Sequence, residues 1–305
     1  MTARLIAAAI ATSALCLPAS ASADAAATTA IAGQPTRFSV VTFGSGPDVI
    51  MIPGLSSTRD IFAASAGKLK RRYRVHLVQL RGFGEPAGAN ASGPVLDPFV
   101  TELAAYAAKL DRPALVGHSM GGLTALMIAA RNPGAAGRVL VVDALPFIGP
   151  LFGAHSVSAI APQAERMRSM LLSNAAAKPD FSARPDCLAG QAAPAKPVGN
   201  MTNSAEGACL MAFGAKASDL RVVAQAMFDV MTTDLTPELG KIAAPVTMLY
   251  PQDDRLLSAA QAAKIYGDAY AKLPAAKLVP VRNSYHFIVQ DQPAAFEAAL
   301  EDFLD

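Results

Sequence analysis

The pentapeptide Gly117-His118-Ser119-Met120-Gly121 carries the clearest chemical signal in the sequence. It fits the pattern G-x-S-x-G between a short apolar run, predicted as a strand, and an alanine-rich run, predicted as a helix. A serine at a sharp strand-to-helix turn has a strained backbone, and its hydroxyl lies near the unpaired N–H groups that begin the helix. This context predicts that Ser119 is a nucleophile for acyl transfer.

A serine hydroxyl is a weak nucleophile, so it needs a base, and the base needs an orienting acid. His286 is the predicted base, because it lies in a loop after the last predicted strand and before the final predicted helix. Ligands of open α/β sheets bind at that edge, beyond the carboxyl ends of the strands. His76 falls within a predicted strand, His118 is expected to point into the protein, and the position of His155 gives no indication of a role.

Three carboxylates are candidates for the acid. Asp253 and Asp254 follow the predicted strand 246–250, and either of them could accept the Nδ1–H of His286. Asp143 ends the preceding predicted strand and is an alternative, although it could equally cap a helix or form a hydrogen bond in the core. The residues alone do not choose among the three.

The elements that must position these side chains alternate regularly along the chain. Short β-rich runs alternate with longer amphipathic runs, and the run 48–52 is continuously apolar, as expected for a strand buried on both faces. This alternation predicts an α/β fold with a doubly wound, mostly parallel sheet. The predicted strands are 37–44, 48–52, 73–80, 114–117, 138–143, 246–250 and 277–281. The predicted helices outside the insertion described below are 59–70, 98–110, 120–131, 258–271 and 293–304.

The alternation stops at Leu145 and resumes after Glu238. Between these points, turns rich in Pro, Gly and Ala separate helical runs at 163–176 and 218–231. A structureless loop of this length would be unusual, so the segment is predicted to be a helical insertion. The α/β core is accordingly predicted to comprise residues 24–144 and 239–305, and the insertion residues 145–238.

Residues 1–23 have the features of a cleavable secretory signal peptide. A basic residue precedes the apolar run 5–17, and Ala21-Ser22-Ala23 fits a cleavage site that would leave Asp24 first. The apolar run is too short to span a bilayer comfortably, and bulky Leu15 before Cys16 disfavours a lipoprotein. We therefore expect export to the periplasm or the medium, with no membrane anchor left after cleavage.

Cleavage would leave two cysteines, Cys187 and Cys209, both within the insertion. An exported protein meets an oxidising environment, in which an even pair of cysteines predicts a disulfide. The alternative is two unrelated buried thiols.

Composition excludes several other classes of protein. The 26 basic and 24 acidic side chains give a net charge of +2, too little to attract nucleic acid or an acidic membrane surface. A chain that is 52% hydrophobic and 16% charged is not disordered. The sequence has no His/Cys cluster with metal-ligand spacing and no phosphate-binding glycine loop, so neither a metal nor an organic cofactor is expected.

Three stretches together resemble the α/β-hydrolase family, in its form with a helical cap. They are GHSMGG at 117–122, LRGFG at 80–84, and the region from YPQDDRLLS to YHFIVQDQPAAFEAALEDFL. The resemblance implies the chain order Ser119, Asp254, His286, and it selects Asp254 over Asp253. It also implies that the backbone N–H groups of Leu55 and Met120 bind the oxyanion. Here Pro53-Gly54 replaces the His-Gly that relatives often carry before that loop.

The family resemblance implies a serine hydrolase that cleaves a small carboxylic ester through an acyl-serine intermediate, as carboxylesterases and lipase-like enzymes do. The same triad serves amide, thioester and C–C bond hydrolysis in relatives, and fold does not choose among these reactions. A non-catalytic protein that uses the pocket only to bind a ligand is the alternative of a different class. The sequence leaves the oligomeric state open.

Overall fold

The computed structural model describes residues 35–175, 178–181, 187, 199 and 201–305. A seven-stranded sheet lies at its centre in the order β1-β3-β2-β4-β5-β6-β7. Strand β1 pairs antiparallel with β3, and every other pair is parallel. The predicted α/β fold with a doubly wound, mostly parallel sheet is therefore confirmed. The strands are β1 Phe38–Gly44, β2 Asp48–Ile52, β3 Arg74–Leu80, β4 Ala114–His118, β5 Arg138–Val142, β6 Val246–Gln252 and β7 Lys277–Arg282.

Helices cover both faces of the sheet and form the segment between β5 and β6. The α-helices are α1 Ala63–Leu69, α2 Leu96–Ala107, α3 Met120–Arg131, α4 Val157–Ser173, α5 Ala205–Lys216, α6 Leu220–Thr232, α7 Ala259–Ala269, α8 Ile288–Asp291 and α9 Pro293–Leu304. Short 3₁₀ helices span Arg59–Phe62, Gly88–Ala91, Gly149–Phe152 and Thr236–Lys241. None of the helices within the described ranges has both the length and the hydropathy needed to cross a bilayer.

The central strands are buried on both faces, which explains their continuous apolar sequence. Along β2, Ile50 and Ile52 belong to a hydrophobic cluster shared with α2 and α3. The intervening Val49 and Met51 belong to a second cluster shared with α1 and α9. Because side chains alternate across a strand, one five-residue strand contributes to the cores on both sides of the sheet.

The described residues of the insertion contain α4, α5 and α6. Helices α4 and α6 pack against each other through a small apolar cluster that includes Ile160, Ala164 and Met231. Helix α4 begins earlier than the predicted 163–176, because Ser156 caps it by accepting a hydrogen bond from Ala159 N–H. It continues through Pro162, where packing of the flanking residues against α6 outweighs the missing backbone donor.

Candidate active site

Ser119 occupies a strained turn between β4 and α3. Its backbone has φ 55° and ψ −123°, a left-handed conformation that a side chain rarely adopts. A Cβ atom at Gly121 would lie 2.1 Å from the carbonyl oxygen of Ile52, so only glycine fits there. The Ser119 N–H donates to the carbonyl of Val142 at 2.9 Å, which fixes the turn beside the end of β5. The predicted strand–turn–helix setting of Ser119 is therefore present.

The loop after β2 lies directly against this turn. A Cβ atom at Gly54 would lie 2.9 Å from the Ser119 Cβ, so glycine allows the loop backbone to approach the serine. Among the hydrogen bonds of the described residues, none uses the N–H of Leu55 or the N–H of Met120. The loop after β2 and the start of α3 thus each provide one backbone N–H donor of the kind that binds an oxyanion.

The imidazole of His286 forms a hydrogen bond with a carboxylate. Its Nδ1 lies 2.6 Å from Oδ2 of Asp143, the residue that follows β5. Asp143 has φ 46°, and its N–H donates to the Leu249 carbonyl of β6 at 2.9 Å. The two side chains are 22% and 11% exposed, so the pair is sheltered while the imidazole remains accessible. Among the hydrogen bonds of the described residues, none joins His286 to the hydroxyl of Ser119.

The carboxylate that meets His286 is therefore Asp143, the sequence alternative, and not Asp254. Asp254 is exposed, and its Oδ1 accepts a hydrogen bond from Gln252 Nε2 at 2.9 Å. Asp253 forms an ion pair with Arg255, whose guanidinium lowers the pKa of Asp253 against the opposing effect of burial. The structure thus corrects the expectation that Asp254 or Asp253 orients the base.

His118, the residue before Ser119, contacts both the backbone and the ring of His286. Its Nε2 lies 3.0 Å from the carbonyl oxygen of His286, and the two rings are 4.6 Å apart between centroids. A carbonyl only accepts, so Nε2 carries the proton and Nδ1, which is buried without a hydrogen-bond partner, is unprotonated. Burial lowers the pKa of His118 to about 3, so this ring stays neutral beside His286.

Two further hydrogen bonds hold the backbone on either side of His286. The N–H of Tyr285 donates to Oδ2 of Asp291 at 2.8 Å. The N–H of Phe287 donates to the carbonyl of Met201, just before α5, at 2.8 Å. The orientation of His286 therefore depends in part on the insertion.

Helix α5 also contacts the loop after β2. The Ser56 hydroxyl donates to the Ser218 hydroxyl, just beyond the end of α5, at 3.0 Å. A Cβ atom at Gly214 would lie 2.2 Å from the Ser56 carbonyl oxygen, so the helix backbone lies against this loop. The insertion segment 201–218, which includes α5, thus touches both the histidine loop and the loop with the Leu55 donor.

Backbone strain concentrates in the same loops. Of the five non-glycine residues with positive φ in the described ranges, four follow the carboxyl ends of β2, β4, β5 and β7. They are Ser56, Ser119, Asp143 and Asn283. Strain of this kind persists where the surrounding structure fixes a functional geometry, and this edge is where ligands of open α/β sheets bind.

Sequence reasoning undervalued Asp143 and did not identify Asp291. The signal for Asp143 is its place at the end of the strand next to the one that leads to Ser119. Asp291 carries no sequence signal, because its hydrogen bonds to Tyr285 and Thr202 arise only in the folded chain. In the part of the chain that the structure describes, no group of three His, Cys, Asp or Glu side chains is arranged to hold a metal ion.

The two insertion cysteines are paired. Cys187 and Cys209 form a disulfide with their Cα atoms 5.6 Å apart, as the sequence predicted. Since Cys209 lies within α5, the cross-link attaches residue 187 to the helix that contacts the site. The predicted signal peptide, residues 1–23, lies outside the described residues.

The chain belongs to the alpha/beta hydrolase family, whose family model matches residues 49–299. A pimeloyl-[acyl-carrier protein] methyl ester esterase of Chromobacterium violaceum is 41% identical over 97 residues. That alignment covers 31% of this chain and 35% of the esterase, so the chain spans about a third of the length of this curated relative.

Solved structures of two enzymes share the fold. An enol-lactonase from Burkholderia xenovorans LB400 superposes with a TM-score of 0.63 at 18% identity, covering 88% of this chain and 96% of that chain. A thermophilic esterase from Thermogutta terrifontis superposes with a TM-score of 0.62 at 19% identity, covering 88% and 92%.

Proposed function

We propose that this chain is a serine esterase that transfers the acyl group of a small carboxylic ester to water. The observation that carries the proposal is the Asp143–His286 pair beside the strained turn of Ser119. The carboxylate holds the imidazole with Nε2 free to act as a base toward the serine. The methyl ester esterase among the relatives supports an ester as substrate.

The proposed reaction proceeds in two halves. His286 Nε2 removes the Ser119 hydroxyl proton as Oγ attacks the ester carbonyl carbon, and Asp143 stabilises the resulting imidazolium. The backbone N–H groups of Leu55 and Met120 bind the oxyanion of the tetrahedral intermediate. The alcohol leaves with the proton from His286, and water then attacks the acyl-serine by the same route to release the acid.

Replacement of the nucleophile tests this proposal. In Ser119→Ala we expect kcat/KM on p-nitrophenyl acetate to fall at least about 10³-fold, because loss of a triad serine removes the covalent route. Fluorophosphonate labelling should disappear in the same variant. Ser92→Ala, which removes an exposed hydroxyl, is the control and should keep full activity and labelling. A Ser119→Ala protein that retains activity would refute the esterase proposal, and a parent protein that takes no label would favour a binding function.

We also propose that the chain is exported, since residues 1–23 fit a signal peptide and the paired cysteines suit an oxidising compartment. Amino-terminal sequencing of the protein recovered from an export-competent bacterial host should begin at Asp24. A mature protein that retains residues 1–23 would contradict this proposal.

A further inference from the structure

Asp143 is held by a second side chain in addition to His286. The hydroxyl of Tyr266, on α7, donates to Oδ1 of Asp143, while His286 Nδ1 lies at Oδ2. Each oxygen of the carboxylate thus has its own side-chain partner. A carboxylate held at both oxygens by groups from different elements has one preferred orientation.

The Tyr266 ring is itself fixed in place. It is 7% exposed and stacks on the Tyr250 ring of β6, with centroids 4.7 Å apart. Its hydroxyl therefore reaches the carboxylate from a side chain with little freedom to move. Burial also raises the pKa of Tyr266 well above its ordinary value, so the phenol stays protonated and remains a donor.

We infer that Tyr266 is a positioning residue for the catalytic acid: its hydroxyl orients Asp143 toward His286 and limits the negative charge that the imidazole experiences. The inference rests on the proposed esterase function, since it assigns a task within that site. Tyr266 acts through Asp143 and has no contact with the reacting atoms in this assignment.

The charge environment of the pair sets the sign of the expected effect. The titratable groups that face Asp143 are His286 and Tyr266, with Tyr270 of the same helix region and His118 close enough to interact electrostatically. When the Tyr266 donor is removed, the carboxylate charge acts more fully on His286 and favours the imidazolium. The acid limb of the pH–activity profile is therefore expected to move to higher pH.

Tyr270, four residues after Tyr266, provides a closely matched control for the Tyr266→Phe substitution. Tyr270 is also buried, and its hydroxyl donates to the carbonyl of Ala144, the residue after Asp143, at 2.8 Å. Tyr266→Phe and Tyr270→Phe each remove one buried phenolic hydroxyl at the end of β5. Only the first removes a donor to the carboxylate.

The test measures kcat and KM on p-nitrophenyl acetate from pH 5 to pH 9 in the full-length protein. For Tyr266→Phe we expect kcat/KM to fall about tenfold, mainly in kcat, as the loss of one hydrogen bond to a charged group implies. The midpoint of the acid limb should move to higher pH. Tyr270→Phe should stay within about twofold of the parent, with an unmoved acid limb, because the Asp143 carboxylate keeps both partners.

A second variant keeps the test decisive if Tyr266→Phe fails to fold. Site-specific 3-fluorotyrosine at position 266 preserves the ring and makes the phenol a stronger donor, so the acid limb should move to lower pH. The inference is overturned if neither change at position 266 moves the limb, or if Tyr270→Phe produces the same loss and shift. In both cases an inactive Ser119→Ala would leave the esterase proposal standing, whereas an active Ser119→Ala would refute the esterase proposal itself.

Discussion

His286 Nδ1 and Asp143 Oδ2 lie 2.6 Å apart although they follow strands β7 and β5, with β6 between them. The pair therefore spans three neighbouring strands at the carboxyl edge of the sheet. Because β5 also adjoins β4, which leads to Ser119, the carboxylate follows the strand next to the one that leads to the proposed nucleophile. A carboxylate at this place makes the acid at the end of β6 unnecessary for orienting the base.

The position of Asp143 beside His286 predicts that the same substitution, Asp to Asn, has a large effect at residue 143 and almost none at residue 254. Asp143→Asn should reduce kcat/KM on p-nitrophenyl acetate by about 10³- to 10⁴-fold, since a neutral amide no longer stabilises the imidazolium or fixes its tautomer. Asp254→Asn should stay within about threefold of the parent, because Asp254 is exposed and bonded to Gln252. Equal activity of the two variants, or a greater loss in Asp254→Asn, would show that the acid is not Asp143.

The hydrogen bonds of Asp291 predict that its substitution lowers kcat, although Asp291 is not one of the proposed reacting groups. Its carboxylate accepts hydrogen bonds from Tyr285 N–H, the Thr202 hydroxyl and Asn203 N–H. In Asp291→Asn an amide NH2 group replaces one carboxylate oxygen, so a donor faces the N–H or O–H groups that the carboxylate accepted from. The histidine loop should then shift, and kcat should fall about tenfold or more. Asp302→Asn, which removes an exposed ion pair with Lys277, is the control and should leave kcat unchanged. Unaltered kcat in folded Asp291→Asn would contradict the positioning role.

The buried neutral His118 predicts that acid lowers stability in a defined range. Its pKa is about 3 in the folded protein, whereas an unfolded histidine titrates near its ordinary value of 6.5. Between these values the unfolded chain binds the extra proton, so the free energy of unfolding should fall as pH drops below about 6.5, by up to about 1.4 kcal/mol per pH unit from this group. Burial lowers the pKa of His76 as well, which adds to the slope in the same direction.

Urea unfolding between pH 7.5 and pH 5 measures this contribution. His118→Gln should flatten the pH dependence relative to the parent, because its amide does not titrate. His155→Gln, at an exposed histidine, should follow the parent slope. Parallel slopes for all three proteins would mean that His118 does not stay neutral in the folded state.

The disulfide predicts a loss of stability on reduction. Cys187 and Cys209 close a loop of 22 residues, so the chain-entropy argument gives about 3 kcal/mol of stabilisation. Replacing both cysteines with serine should lower the free energy of unfolding by about that amount, and a reductant should then have no further effect. A reductant that leaves the stability of the parent unchanged would contradict the cross-link.

Much of the sheet followed from sequence, because strands buried on both faces leave continuous apolar runs such as 48–52. The turn between β4 and α3 that holds Ser119 and the loop after β7 that holds His286 also followed from sequence, because the flanking strands and helices leave clear patterns. Their catalytic roles remain predictions.

The family resemblance favoured Asp254 as the partner of His286, whereas the structure places the alternative, Asp143, there. The strand order that brings Asp143 to His286 is a tertiary property that the sequence does not display. Tyr266 gave no sequence signal, because it reaches Asp143 only through packing between distant segments. Asp291 gave none either, because its contacts with Tyr285 and Thr202 depend on how the loop after β7 folds against the insertion.

The insertion segment 201–218, which includes α5, has a practical consequence for protein engineering. Since Gly214 lies against Ser56 and Met201 accepts from Phe287, exchanging the insertion with that of a homologue would also alter the backbone supports of the reaction centre. A chimaera designed to change substrate range should therefore retain residues 201–218 from the recipient and graft only the pieces on either side. Swaps that replace the whole segment would confuse altered selectivity with a damaged scaffold.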